Sequence, residues 1–213
     1  MDTLCLSFCG LSIRDVTFLS QSSQATQLRV LNLNNNQIFS EAYEPFQVLL
    51  EKVSGTVQHL EINNCMMTDS ILSAIIPTLN QCIHLRVFNF AFNPITMPVL
   101  KSLLQHLTSL LRLRHVIYPV PAHCYQEQKF HYSLNRQKLA EVQAQVEAML
   151  HMLHQDHVKW ATYSEWFPLY KELFHHWCVA VKGSLFCLKP KFLEIHIQSS
   201  TVPGNWGLGK LDM

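Results

Sequence analysis

Apolar and polar positions alternate along the first half of the chain in one recurring phrase. It reads Leu4-Cys-Leu6-Ser-Phe-Cys9-Gly-Leu11, then Leu31-Asn-Leu33-Asn-Asn-Asn36-Gln-Ile38, then Leu60-Glu-Ile62-Asn-Asn-Cys65-Met-Met67, then Phe88-Asn-Phe90-Ala-Phe-Asn93-Pro-Ile95. The common form is apolar-x-apolar-x-x-(Asn/Cys)-x-apolar. Alternation over its first positions predicts a short strand with one buried face. The Asn or Cys that follows is suited to turn the chain and to bond backbone groups that are costly to bury unpaired. Equivalent apolar positions at Leu4, Leu31, Leu60, Phe88 and Leu113 stand 27, 29, 28 and 25 residues apart.

The segments between the phrases carry a helical period. Phe46, Leu49, Leu50 and Val53 recur at i, i+3, i+4 and i+7. So do Leu72, Ile75, Ile76 and Leu79, and again Leu100, Leu103, Leu104 and Leu107. Thr96 is a predicted N-cap ahead of Pro98. Pro77 predicts a kink or an early end to its helix. A strand and a helix at this period define an α/β fold, a leucine-rich-repeat solenoid with parallel strands and helices on its convex side. One such repeat cannot bury its own core, and stacking its neighbours does so.

A fifth, degenerate strand is expected at Leu110-x-x-Leu113-x-His115, with His115 where an inward aliphatic residue belongs. Tyr118-Pro-Val-Pro121 then ends the regular pattern, because proline suits neither a helix interior nor a central strand. Residues 134–154 predict one long amphipathic helix with a stripe of Leu139, Val142, Val146, Met149, Leu150 and Leu153. It would cap the solenoid end. The chain thus divides into repeats at 1–121, a capping region at 122–160 and an atypical aromatic-rich tail at 161–213. In the tail only a short helix, about Trp166 to Val179, is expected. Met1 leads straight into a strand without a cap, so the solenoid is expected to be truncated at its N-terminus.

Composition narrows the function. Charged residues are 15% of the 213 and the formal charge is +1, so no strong field draws nucleic acid or an anionic membrane. No apolar run approaches the roughly 20 residues of a membrane span. No secretory leader is recognisable at residues 1 to 20. The seven cysteines form no tight pattern, and reduced thiols in the cytoplasm, with the nucleus as a second location, are expected.

Chemistry-bearing motifs are sparse. No phosphate loop, nucleophile elbow or acid pair is present, and neither an enzyme activity nor a cofactor is expected. His151, His154 and His157 with Asp156, and His175, His176, Cys178 and Cys187, match no familiar metal spacing. A metal-dependent enzyme built on them is the remotest reading. Two LxxLL matches, Leu100 to Leu104 and Leu107 to Leu111, resemble helices that nuclear receptors bind, yet the leucines of the first are also the core stripe of a helix. What remains is a binding face: Asn32, Glu61 and Asn89 in one outward row, Asn34 and Asn63 in the next, Asn35, Asn64 and Phe92 beside them, and Arg112 and Arg114 closing the series. On the concave side this amide-rich strip would hydrogen-bond a protein partner.

The residues also carry a resemblance. Asn93-Pro-Ile-Thr-Met-Pro-Val-Leu100, Lys101-Ser-Leu-Leu104 and Leu113-Arg-His-Val-Ile-Tyr-Pro-Val-Pro121 closely resemble the closing repeats of the PRAME family (preferentially expressed antigen in melanoma). Gln47-Val-Leu-Leu-Glu-Lys52 and Gln137-Lys-Leu-Ala-Glu-Val-Gln-Ala-Gln-Val146 are similar too, nearest to rodent oogenesin-type members. The likeness runs to about residue 160. It implies a ribonuclease-inhibitor-like horseshoe acting as substrate receptor of a cullin-2 RING ubiquitin ligase, and as a repressor of retinoic-acid-receptor transcription. It further implies roles in proliferation, differentiation and apoptosis, with germline expression. In the family, ligase attachment uses an N-terminal segment outside the matched part. The alternative expectation is a partial or alternatively spliced product without independent activity.

Overall fold

The computed structural model describes residues 2–128 and 131–163. The chain divides into two compact units, residues 1–171 and 172–213, and every described residue lies in the first. The expected tail helix, and His175, His176, Cys178 and Cys187, lie outside the described residues.

Each phrase forms a strand: β1 (Thr3–Cys5), β2 (Val30–Asn32), β3 (His59–Glu61) and β4 (Val87–Asn89). Each is followed by a helix: α1 (Ile13–Gln21), α2 (Glu44–Val53), α3 (Asp69–Leu79) and α4 (Met97–His106). The strands pair in parallel and in register, with Leu4 beside Leu31, Leu31 beside Leu60 and Leu60 beside Phe88. Leu31, Leu33, Leu60, Ile62, Phe88 and Phe90 form one core with Leu49, Leu50, Leu72, Ile75, Leu100 and Leu103 of the helices. Burying each such side chain contributes about 1.5–3 kcal/mol, so the two periodicities lock together in one interior. This is the arrangement of a repeat solenoid.

α3 ends at Leu79, just past Pro77. Thr96 occupies the N-cap of α4 without a side-chain cap bond. Its hydroxyl instead donates to Asp69 Oδ2 at 2.6 Å and its N–H to Asp69 Oδ1 at 2.8 Å. The first turns of α3 and α4 are thereby tied together. Leu100, Leu103 and Leu104 of the first LxxLL match are buried in the core, as are Leu107 and Leu110 of the second.

The fifth strand differs from expectation. β5 spans His115–Tyr118, and Val116, not Leu113, pairs with Phe88. The 28-residue offset that joins Arg112 to His84 therefore persists into this repeat. His115 does not take an inward aliphatic place. It pairs with Val87 on the opposite face, half-buried. Leu113 is buried one turn earlier, before the strand begins, which made a shorter repeat look plausible.

Beyond Pro121 the chain forms an antiparallel hairpin, β6 (Tyr125–Gln128) with β7 (His131–Leu134), and then α5 (Arg136–Met152). Asn135 caps α5 by accepting the Lys138 N–H at 3.0 Å. Leu139, Val142, Val146 and Leu150 are its buried stripe. A further strand, β8 (Lys159–Thr162), pairs in parallel with β5 and completes a six-stranded sheet in the order β1-β2-β3-β4-β5-β8. Among the described residues no helix is long and apolar enough to cross a membrane.

Candidate partner-binding face

The sheet has one face against the helices and one face away from them. Strand alternation puts Val30, Asn32, His59, Glu61, Val87, Asn89, His115 and Ile117 on the second face. The register lines up Cys5, Asn32, Glu61, Asn89, Ile117 and Ala161 as one row. Asn32, Glu61 and Asn89 are thus neighbours, as the repeat spacing implies. They are also buried: Glu61 is 4% and Asn89 1% exposed, and Asn34 and Asn63 are buried as well.

A polar network occupies the β1–β3 half of this face. Glu61 Oε2 accepts from Asn32 Nδ2 at 3.0 Å and from Asn34 Nδ2 at 2.9 Å. Asn32 Oδ1 accepts from the Ser7 hydroxyl at 2.6 Å and the Asn34 N–H at 3.1 Å. Asn34 Oδ1 accepts the Asn63 N–H at 2.8 Å. Such charge-assisted bonds offset the desolvation of a buried carboxylate. Two amide atoms are left over: Asn63 Oδ1 and Asn89 Nδ2 are buried without a hydrogen-bond partner. Unspent buried polar atoms are uncommon and each costs stability.

The β4–β8 half is apolar. Val87, Ala91 and Ile117 form a small cluster, and Tyr163 packs on it. The Tyr163 ring also lies 4.8 Å from the Phe92 ring, tilted by 57°. Burial, and then the negative charge of Glu61, push the Tyr163 phenol above its ordinary pKa, so it keeps its proton and can donate. Sequence reasoning missed Tyr163 because β8 follows a hairpin and a long helix rather than one repeat. The signal was the alternation of Val158, Trp160 and Thr162 against Lys159 and Ala161.

The turn that leaves each strand carries the rest. Phe8, Asn35, Asn64 and Phe92 occupy the same repeat position, and all are left-handed, at φ 58°, 58°, 49° and 58°. Asn accepts that conformation readily, whereas a bulky aromatic is strained there. Asn64 Nδ2 donates to Asn35 Oδ1 at 3.1 Å along this edge. Phe92 is 50% exposed. Asn35, Asn64 and Phe92 therefore border the face together.

Arg112 and Arg114 do not join them. With β5 starting at His115, both precede the strand and stand at the opposite, N-terminal edge of the sheet. Arg112 Nη1 contacts His84 Nδ1 at 2.9 Å, and Arg114 Nη1 donates to the carbonyls of Leu111 and Leu113. The outward residues of β5 are His115 and Ile117. His151 contacts Asp156 at 3.4 Å, and among the described residues no cluster of three potential ligands could hold a metal.

Repeats of strand, asparagine turn and helix around one core define a leucine-rich-repeat protein. The family model of the PRAME C-terminal domain matches residues 1–165. Among curated proteins, leucine-rich repeat-containing protein 14 of Rattus norvegicus is 36% identical over 170 residues, covering 76% of this chain and 34% of that protein. The Mus musculus protein of the same name matches equally, at 36%, and the Homo sapiens one is 34% identical over the same length. The chain belongs to the PRAME family. It spans about a third of the length of these relatives.

Proposed function

We propose that this chain is a binding rather than a catalytic module, and that the sheet face away from the helices holds a protein partner. The observation that carries the reading is the border of this face, where half-exposed Phe92 packs on Tyr163 and the exposed Asn64 amide bonds Asn35. Amide donors and acceptors beside exposed aromatic area are what a peptide or loop needs for both orientation and affinity. In the horseshoe that the family resemblance implies, this is the concave surface. The cellular role that the resemblance adds is substrate reception for a cullin-2 RING ubiquitin ligase, with regulation of transcription, proliferation, differentiation and apoptosis downstream, in the cytoplasm and the nucleus.

The test separates the two levels. Asn64 and Phe92 are exposed and outside the Glu61 network, so Asn64→Arg with Phe92→Asp removes the Asn64–Asn35 bond and the Phe92–Tyr163 contact but leaves the buried network intact. Tagged chain is expressed in germ cells, and co-purified substrates are quantified with and without depletion of cullin-2. The expected result is loss of the substrates from the variant alone, and accumulation of those substrates when cullin-2 is depleted. Equal substrate recovery from both proteins would remove the face reading. Substrates whose abundance does not respond to cullin-2 depletion would remove the ligase reading.

A further inference from the structure

We propose that the N-terminal edge of the sheet, centred on Arg86, Arg112 and Arg114 with Ile83 and Leu111 beside them, binds an acidic amphipathic segment of a partner protein. This surface is separate from the outer face, so either reading can fail without the other.

The edge is built by the repeat itself. Ile83-His84-Leu85-Arg86 and Leu111-Arg112-Leu113-Arg114 occupy equivalent positions before β4 and β5. Leu85 and Leu113 are buried in the core. The residues on either side are thereby turned outward, leaving Ile83 59% and Leu111 75% exposed. The Arg112–His84 contact at 2.9 Å joins the two turns side by side. Backbone bonds continue the row: Gln58 N–H to Arg29 O at 2.7 Å, Arg86 N–H to Gln58 O at 2.8 Å, Arg114 N–H to Arg86 O at 2.9 Å and Lys159 N–H to Arg114 O at 2.7 Å. Neighbouring strands lie about 4.8 Å apart, so exposed Arg29, Arg86, Arg114 and Lys159 form a cationic row, with half-buried His59 and His115 alongside.

No carboxylate of the described residues answers these charges. The one ion pair among those residues joins His151 and Asp156. Acids stand at the two ends of the edge, Asp2 before β1 and Asp156 before β8, and not between. Like charges on adjacent strands repel and cost stability; an acidic partner removes that cost on docking. The two exposed aliphatics decide what kind of polyanion fits. They match apolar side chains of a peptide and offer nothing to a phosphate backbone. The formal charge of +1 also gives no long-range field of the sort that gathers nucleic acid or anionic lipid.

The experiment titrates the full chain with a fluorescent peptide of alternating Glu and Leu. Arg86→Glu with Lys159→Glu is the main variant, since neither side chain makes a hydrogen bond within the described residues. It should weaken binding about tenfold or more and flatten the salt dependence. Leu111→Ser should weaken the same peptide by about tenfold and leave polyglutamate binding unchanged. Arg136→Glu, on α5, should change nothing. The proposal is overturned if the double variant binds like wild type while keeping the wild-type melting temperature, or if Arg136→Glu weakens binding equally. It is also overturned if polyuridine RNA or phosphatidylserine vesicles compete as well as the peptide, which would make the edge a generic anion surface.

Discussion

The two edges of the sheet solve opposite problems. At the C-terminal edge the turn residues Asn36, Cys65 and Asn93 are committed to the backbone. Asn36 Nδ2 donates to the carbonyls of Leu6 and Leu33, each at 2.8 Å, and its Oδ1 accepts the Leu11 N–H at 2.9 Å. Asn93 repeats the device: Nδ2 to the carbonyls of Ile62 at 2.9 Å and Phe90 at 2.7 Å, with Oδ1 accepting the N–H of Cys65 and Met67. Cys65 does a weaker version with its thiol, which reaches the Leu33 and Asn63 carbonyls, and burial pushes that thiol up to about 12. At the N-terminal edge Arg29, Arg86 and Lys159 make no such bonds. The turn side chains at one edge close the fold, and Arg29, Arg86 and Lys159 at the other are left available to something outside it.

The sharpest way to break this contrast is to truncate one residue at each edge. Asn93→Ala removes a group that satisfies buried backbone in two repeats at once, and should cost about 2–4 kcal/mol in urea unfolding. Arg86→Ala should fall within about 0.5 kcal/mol of wild type, or gain stability by relieving repulsion. If the two variants unfold at the same urea concentration, the edges are not different in kind.

Legibility in the sequence follows the same divide. The strand phrases, the three helix stripes and the Asn and Cys turns were readable because each position is fixed by one periodic, local demand. Outward parity was readable too, and placed Asn32, Glu61 and Asn89 in one row. Their burial was not, because it depends on side chains meeting across repeats, as in the Glu61–Asn32–Asn34 network. The start of β5 was misplaced by three residues, which inverts the in-and-out parity, since Leu113 and Val116 are both apolar and both buried. That error carried Arg112 and Arg114 to the wrong edge.

Glu61 sharpens the comparison within the face itself. Glu61→Ala leaves the Asn32 and Asn34 amides without their carboxylate acceptor in a buried setting. A loss of about 1–3 kcal/mol is expected, with Glu61→Gln recovering part of it. A change below about 0.5 kcal/mol for Glu61→Ala would mean that the network is solvated and exchanges its bonds with water. Phe8 tests the opposite direction. Its left-handed backbone matches Asn35 and Asn64, and its ring is not in the core. Phe8→Asn should stabilise by about 0.5–1 kcal/mol. A destabilised variant would show that the ring contributes more than the backbone strain costs.

The smallest expected effect is a pH dependence, and it belongs to the cationic edge. Burial, then Arg86 and His115, lower the pKa of His59. Burial, then Lys159 and Arg114, lower that of His115. Well above the ordinary value of 6.5 both rings are neutral, folded or unfolded, and they leave stability unchanged. As pH falls through that value the unfolded chain takes up protons that the folded chain resists, so stability declines until the folded pKa values are passed. Asp15 acts elsewhere: the Ser12 hydroxyl and N–H hold its carboxyl below 3.8, and that contribution is lost only in stronger acid. The melting temperature should therefore drop between about pH 7.5 and about pH 5.5, and His59→Gln with His115→Gln should flatten the slope. A wild-type profile that is flat or rises toward acid over that range would show that burial and the neighbouring cations together do not hold these rings neutral in the folded chain.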